Sequence, residues 1–437
     1  MGRALLTDLY ELTMAASYRR RGMEAPATFS LFVRDLPAER GFLVAAGLEG
    51  CLEFLDGLRV EDDDLAVLRT MGFDDASIEA LRGLRFTGDV WAVPEGRILF
   101  AGEPLLEVTA AIAEAQLAET FLLNRVTVEA TLASKAARCV IAAEGRDLLD
   151  FSFRRTHGVD AAMAVARTTA MCGFAGTSNV EAARRFGLRA AGTMAHSYVE
   201  AFPDERAAFR AFAGDFPGRA TFLVDTYDTA GGVEAAIAVI RELGLEPPLG
   251  IRLDSGDLDA LARAARRRID EEGLHEVRIF ASGGLDDVDV ARLVAGGAPI
   301  DGFGLGTRLG VSADAPYLDT VFKMVEYDGR PTAKLSPGKV SLPGRKQVFR
   351  GERPGDDVIG LRGEDPPPGI EPLLVPVMAR GTRIAPAEPL KAARERFDED
   401  LEGLTDAARR LDAPQAPIVP ISDELASLAR RVQDGLR

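Results

Sequence analysis

Apolar and polar positions follow one rhythm before residue 147 and another after it. Residues 8–20 show helical spacing, TFSLFVR (28–34) alternates like a strand, and residues 48–82 read as an acidic helical stretch. Short alternating pieces follow around VWAVPEG and LLEVTA. Strands and helices without strict alternation predict an α+β region. From 115 to 143 apolar residues recur at helical spacing, with Asn124 and Arg125 among them, which predicts one long connecting helix.

From Asp147 onward, short apolar runs end in Gly, Ser, Asp or Thr, and most lead into a helical stretch. The runs are DLLDFSF, a weaker GFAGTS, LRAAGT, ATFLVD, LGIRLD, VRIFAS and IDGFGLG; the helical stretches are 160–171, 180–186, 229–243, 257–272 and 285–295. Strands alternating with helices predict parallel pairing through right-handed crossovers. Seven such units predict an α/β fold built on a closed or nearly closed seven-stranded barrel rather than an open sheet. After Arg308 the text turns irregular: 321–350 reads as hairpins rejoining the first region, GEDPPPGIEP as an exposed Pro-rich loop, and 389–437 as a helical C-terminal extension. The expected divisions are an N-terminal α+β domain (1–114), the connecting helix (115–146), the barrel (147–320), a β-rich segment (321–388) and the extension (389–437).

Composition narrows the function classes. Of 437 residues, 47% are apolar, enough for a large core, and 52 Lys plus Arg against 68 Asp plus Glu leave a net charge of −16. Such a balance argues against nucleic acid, whose non-specific affinity depends on a basic surface. Three cysteines (Cys51, Cys139, Cys172) without a CxxC spacing predict a reduced, intracellular protein with no structural zinc site. No signal peptide or membrane span is read, and the expected location is the cytoplasm.

In a parallel barrel the active site lies where strands end. The residues there are Phe151, Arg154, Arg155 and His157; Thr177 and Ser178; His196 and Ser197; Asp225 and Asp228; Arg252, Asp254 and Asp257; Ser282, Gly283 and Gly284; and Gly304, Gly306 and Thr307. The glycine-rich turns SGGLDD and GFGLGT follow the last two strands, where backbone N–H groups favour a phosphate. Asp225 and Asp254 directly follow apolar runs and suit Mg²⁺ or ribose hydroxyls, whereas Asp228 and Asp257 also read as helix N-caps. His196 follows a short strand and suits a base or a phosphoryl-accepting nucleophile. His275 belongs to a charged surface connection.

TDLYELTMA (7–15), FSFRRTHGVDAA (151–162), GTSNV (176–180), GTMAHSY (192–198), VDTYDT, RLDSGD, FASGGLD and GFGLGT, in this order, resemble the nicotinate phosphoribosyltransferase family. The resemblance implies an irregular seven-stranded α/β barrel of the type II phosphoribosyltransferase kind, with an N-terminal α+β domain and a C-terminal extension, and a homodimer with shared active sites. The implied reaction joins nicotinate to phosphoribosyl pyrophosphate, giving nicotinate mononucleotide and pyrophosphate, with ATP as co-substrate and Mg²⁺ as cofactor. It assigns His196 to phosphorylation by ATP, and Asp225 and Asp254 to the ribose and metal. Tyr10 from the partner subunit and Phe151 would flank the pyridine ring; Arg154 and Arg252 would line the nicotinate and phosphoribosyl sites, near Thr177, Ser178 and Ser197. Ser282, Gly283, Gly284, Gly304, Gly306 and Thr307 would hold the 5′-phosphate. Related nicotinamide-using enzymes carry an Asp near Ser178, so Ser favours the acid over the amide. Nicotinamide or quinolinate as the base, and a non-catalytic nucleotide-binding regulator, are the competing readings. One departure is Asp150-Phe151-Ser152 where the family commonly has Asp-Phe-Gly; a positive φ there would strain a serine.

Overall fold

The computed structural model describes residues 3–334, 341–366 and 369–435. The hairpin reading over 335–340 and the Pro-rich loop reading at 367–368 lie outside the described residues. The chain forms two compact units, one of residues 1–134 with 317–437 and the other of residues 135–316.

The first unit is built on a seven-stranded antiparallel sheet. Its order is Arg330–Pro331, Thr320–Tyr327, Pro26–Val33, Pro104–Ala111, Asp89–Ala92, Val375–Ala379 and Thr382–Arg383. Phe29 pairs with Val108 and Met324, and its ring stacks on Phe322 with centroids 4.9 Å apart. The acidic stretch differs from the expected single run. It forms three helices, Leu48–Asp56, Asp62–Thr70 and Asp75–Leu81, because Glu61 and Asp74 start new helices with their side chains on backbone amides. The long helix also starts later than expected. Ile112–Leu117 is a separate short helix, and the long one runs Glu119–Ala143.

The second unit carries the chemistry. Six parallel strands form a curled half-barrel in the order Gly176–Thr177, Asp147–Asp150, Gly302–Leu305, Val277–Ala281, Leu249–Leu253 and Thr221–Leu223. The weaker GFAGTS run is a paired strand, and it is LRAAGT that departs from expectation. It contributes one parallel bridge, Thr177 to Ala190, flanked by amides donated from Thr177 to the Arg189 carbonyl and from Ala191 to the Thr177 carbonyl. Small residues at 190–192 provide little for a longer strand to pack with, so this seam stays short. Helices return over the outer face, and Asn179, Asp228, Asp257 and Asp286 cap them by accepting from backbone amides. The N-cap reading of Asp228 and Asp257 therefore holds. Two helices, His196–Glu200 and Glu205–Asp215, were not foreseen.

Candidate active site

The strand ends bring most of the candidate residues into one cluster. Asp225, after Thr221–Leu223, accepts on Oδ2 from the Asp254 amide (2.8 Å) and the Ser255 hydroxyl (2.9 Å). Its other oxygen, Oδ1, is buried with no hydrogen-bond partner. Asp254 is more fully engaged: Oδ1 accepts from Arg252 at 3.2 Å and from the Ser282 hydroxyl, and Oδ2 lies 3.7 Å from His196 Nε2. His196 Nδ1 is 3.2 Å from the Thr226 hydroxyl, so both edges of its ring face polar groups. Arg252 donates to the Thr193 hydroxyl at 2.8 Å and has its guanidinium carbon 5.9 Å from the centroid of the Phe151 ring.

Phe151 owes its place to a missing side chain. A Cβ on Gly304 would come within 2.5 Å of Phe151 Cδ2 and Cε2, so only glycine lets the ring lie against that strand. Phe151, Ser178, Thr193, Arg252 and Gly304 line a cavity of about 710 Å³ inside the half-barrel. Ser152 has φ −84°, an ordinary right-handed value, so replacing the family's glycine puts no strain on the backbone here.

The glycine turns divide by role. Gly283 and Gly284 are exposed, with φ of +98° and +76°, and their amides donate to no partner among the described residues. Ser282 is buried and committed, its amide to the Leu253 carbonyl and its hydroxyl to Asp254. Gly306 precedes the short helix Thr307–Gly310, leaving Thr307 exposed at its start. Gly304 sits under the ring, within the strand.

Other candidates stand apart from this cluster. The Thr177 hydroxyl is buried, donating to Asp150 Oδ2 (2.7 Å) and accepting from the Asn179 amide (3.0 Å). Ser197 is exposed on the His196–Glu200 helix. Arg154 is exposed on a 3-10 turn and makes no ion pair among the described residues. Arg308, beside the last glycine turn, pairs with Asp286 (2.9 Å) and Asp289 (3.0 Å) and braces the two turns. Tyr10 belongs to the first unit, where it is 48% exposed on the Leu9–Arg20 helix. His275, on the surface, pairs with Asp270.

Several supporting residues escaped the sequence reading. Asp150 accepts from the Ser152 amide (2.9 Å) and from Thr177, fixing the turn that carries Phe151; burial pushes its carboxyl up, and those hydrogen bonds oppose the shift. Burial likewise pushes the Glu205 carboxyl up, against the Tyr227 and Thr226 amides that favour its charged form beside His196's partner. Lys135 and Arg138, buried on the long helix, hold Asp287 at the end of SGGLDD, and Lys135 also reaches Asp314 at 2.8 Å. Only Asp150 left a visible signal, as the polar residue closing an apolar run.

Among the described residues no group of three or more His, Cys, Asp or Glu is arranged to hold a metal. A Mg²⁺ that keeps most of its waters needs only one or two carboxylates, and the partnerless Oδ1 of Asp225 fits that demand. Asp254 fits it less well, because both of its oxygens already face cationic or donor groups.

A parallel half-barrel with an aromatic–guanidinium stack, paired carboxylates, a histidine and open glycine amides at its strand ends defines an α/β enzyme. Family models for the nicotinate phosphoribosyltransferase N-terminal domain, the nicotinate phosphoribosyltransferase family and its C-terminal domain match residues 5–127, 147–348 and 356–429. The chain is 48% identical to nicotinate phosphoribosyltransferase pncB2 of Mycobacterium tuberculosis, covering 98% of this chain and 94% of that protein. It is 32% identical to the Homo sapiens nicotinate phosphoribosyltransferase, over 99% and 97%. The crystal structure of human nicotinic acid phosphoribosyltransferase superposes with a TM-score of 0.83 at 31% identity, covering 98% and 100% of the two chains. The nicotinate-nucleotide pyrophosphorylase of Pyrococcus furiosus gives 0.77 at 26% identity, over 92% and 95%. The chain belongs to the nicotinate phosphoribosyltransferase family.

Proposed function

We propose that this enzyme joins nicotinate to phosphoribosyl pyrophosphate, with ATP hydrolysis coupled through His196. The observation that carries the reading is the Phe151–Arg252 stack over Gly304, with Ser178 on the same cavity and His196 and Asp254 beside it. The pyridine ring would lie on Phe151 with its carboxylate toward Arg252. Ser178 adds no charge to repel that carboxylate, which favours nicotinate over nicotinamide.

In the reaction the pyridine nitrogen forms a bond to C1 of the ribose. The bond from C1 to pyrophosphate breaks, and its electron pair leaves with the pyrophosphate. The chain's part is to hold both substrates in line and to meet negative charge with preorganised donors. Arg252 orients the base, the Gly283 and Gly284 amides face the 5′-phosphate, and Asp254 keeps Arg252, Ser282 and His196 in register. Mg²⁺, held by Asp225, supplies charge neutralisation on the pyrophosphate when bound. In the coupled step an imidazole nitrogen of His196 takes the terminal phosphoryl group of ATP, ADP leaves, and water later cleaves the phosphohistidine. We further propose a homodimer in which the partner's Tyr10 closes the open face of the pyridine ring. In location the proposal is cytoplasmic; no described helix is long and apolar enough to cross a membrane.

Nicotinate-dependent release of pyrophosphate, measured with and without ATP, tests the reading. Product formation with nicotinate and stimulation by ATP are expected; equal or faster turnover of nicotinamide or quinolinate would overturn the choice of base.

A further inference from the structure

The inner face of the half-barrel carries the same arrangement twice. At the strand ends, Phe151 lies against Gly304 with Arg252 over its ring. One layer deeper, Phe280 lies against two glycines: a Cβ on Gly302 would come within 2.9 Å of its Cε1, and one on Gly250 within 3.3 Å of its Cε2. Arg278 stands over that ring at 5.0 Å. Gly302 and Gly304 are two residues apart on one strand, so the layers are separated by roughly 6.6 Å.

Barrel interiors are ordinarily packed with branched side chains. Here glycines replace them, and the cavity that Phe151 and Arg252 line continues past Leu149 and Phe280 to Asp147 and Arg278, near where their strands begin. At about 710 Å³ it is larger than a single pyridine ring fills.

The two layers differ in their charge. Arg278 is paired with Asp147 at 2.9 Å, and the two side chains are 42% and 38% exposed, so both can reach a ligand. A carboxylate entering this layer would gain a guanidinium and meet an aspartate. A carboxamide suits both, its oxygen accepting from Arg278 and its NH₂ donating to Asp147. Arg189 and Arg219 also line the cavity and make no ion pair among the described residues, which leaves room for an anionic substituent.

We infer that the strand-entry end of the half-barrel is a second binding site, for a pyridine carboxamide stacked on Phe280 and recognised by the Arg278–Asp147 pair. The ligand would be either the free amide or its phosphorylated riboside. The site does not depend on the reaction proposed above.

Calorimetric titration of the full-length enzyme, presaturated with nicotinate, tests the inference with nicotinamide and nicotinamide mononucleotide as separate probes. At least one probe is expected to bind with about one equivalent. Asp147→Asn and Arg278→Gln are each expected to weaken it about tenfold, while nicotinate turnover is unchanged. The exposed pair contributes little to folding, so both variants should remain folded, and their turnover verifies it. Binding of the mononucleotide alone would assign the ligand to the nucleotide, with the added affinity lost in Arg219→Gln. The inference is overturned if neither probe binds the nicotinate-saturated enzyme, if added nicotinate displaces them in proportion, or if both variants bind as the parent does.

Discussion

His196 Nε2 lies 3.7 Å from Asp254 Oδ2, beyond hydrogen-bond reach, while Asp254 Oδ1 is held by Arg252 and Ser282. One carboxylate thus bonds to the groups proposed for the base and the phosphate turn and lies beside the proposed coupling histidine. His196→Ala is expected to abolish ATP stimulation and leave some ATP-independent synthesis. Asp254→Asn should lower kcat/KM by about 10²-fold and raise KM for both substrates, because it loosens Arg252 and Ser282 together. Steady-state kinetics with and without ATP separate the two variants.

Gly304→Ala tests the seating of the ring. The added methyl would press on Phe151 at 2.5 Å, and the ring or the strand must shift. KM for nicotinate is expected to rise about tenfold, with KM for phosphoribosyl pyrophosphate nearly unchanged. Equal changes in both constants would argue against Phe151 as the base platform.

Gly283 is constrained twice, by φ of +98° and by the Asp254 carbonyl, which a Cβ would meet at 1.8 Å. Gly283→Ala should destabilise the enzyme by about 2–4 kcal/mol and raise KM for phosphoribosyl pyrophosphate. Denaturant unfolding and kinetics measure the two effects.

Lys135 is 1% exposed between Asp287 and Asp314. Lys135→Met leaves Asp287 to Arg138 alone and takes from Asp314 its nearer cation, an expected loss of about 3–5 kcal/mol by denaturant unfolding. Because Asp287 closes SGGLDD, the surviving enzyme should bind phosphoribosyl pyrophosphate more weakly while its KM for nicotinate holds.

Glu11, buried in the first unit, has its carboxyl pushed up by burial to about 7, opposed by hydrogen bonds from Tyr10 and Gln116. The folded state therefore holds this proton more tightly than the unfolded chain does. The stability it contributes is present below the ordinary carboxyl value of 4.5 and is lost as pH rises through about 7. Glu11→Gln should match the parent in unfolding free energy near pH 4.5 and exceed it above about pH 8, by an amount on the order of 3 kcal/mol at most. A constant difference at every pH would reject this assignment.

The helices were most legible where periodicity and a terminal glycine agreed. The stretches 180–186 and 229–243 match Val180–Phe186 and Thr229–Leu243, each followed by a left-handed glycine, Gly187 or Gly244. Glu205–Asp215 was missed because its sequence, ERAAFRAFAGD, offers mostly alanine on its buried face. Within the site, residues that directly follow an apolar run were legible, since strand ends are marked by a change of polarity. Their supports were not. Asp150 is tied to Thr177, Thr193 to Arg252 and Thr226 to His196 across 27, 59 and 30 positions, and single-sequence patterns carry no signal over such separations.

Ser178 faces the cavity, while the next residue, Asn179, caps the following helix by accepting from the Ala182 amide at 3.1 Å. The Ser178 amide donates to the Asp150 carbonyl, a main-chain bond that any side chain leaves intact. On the proposed reading, recognition of the base and initiation of the helix therefore sit on adjacent codons without sharing an atom. A lineage could exchange Ser178, the residue proposed to select the pyridine, and keep its scaffold, so a change of substrate through this position would require no compensating change in the fold.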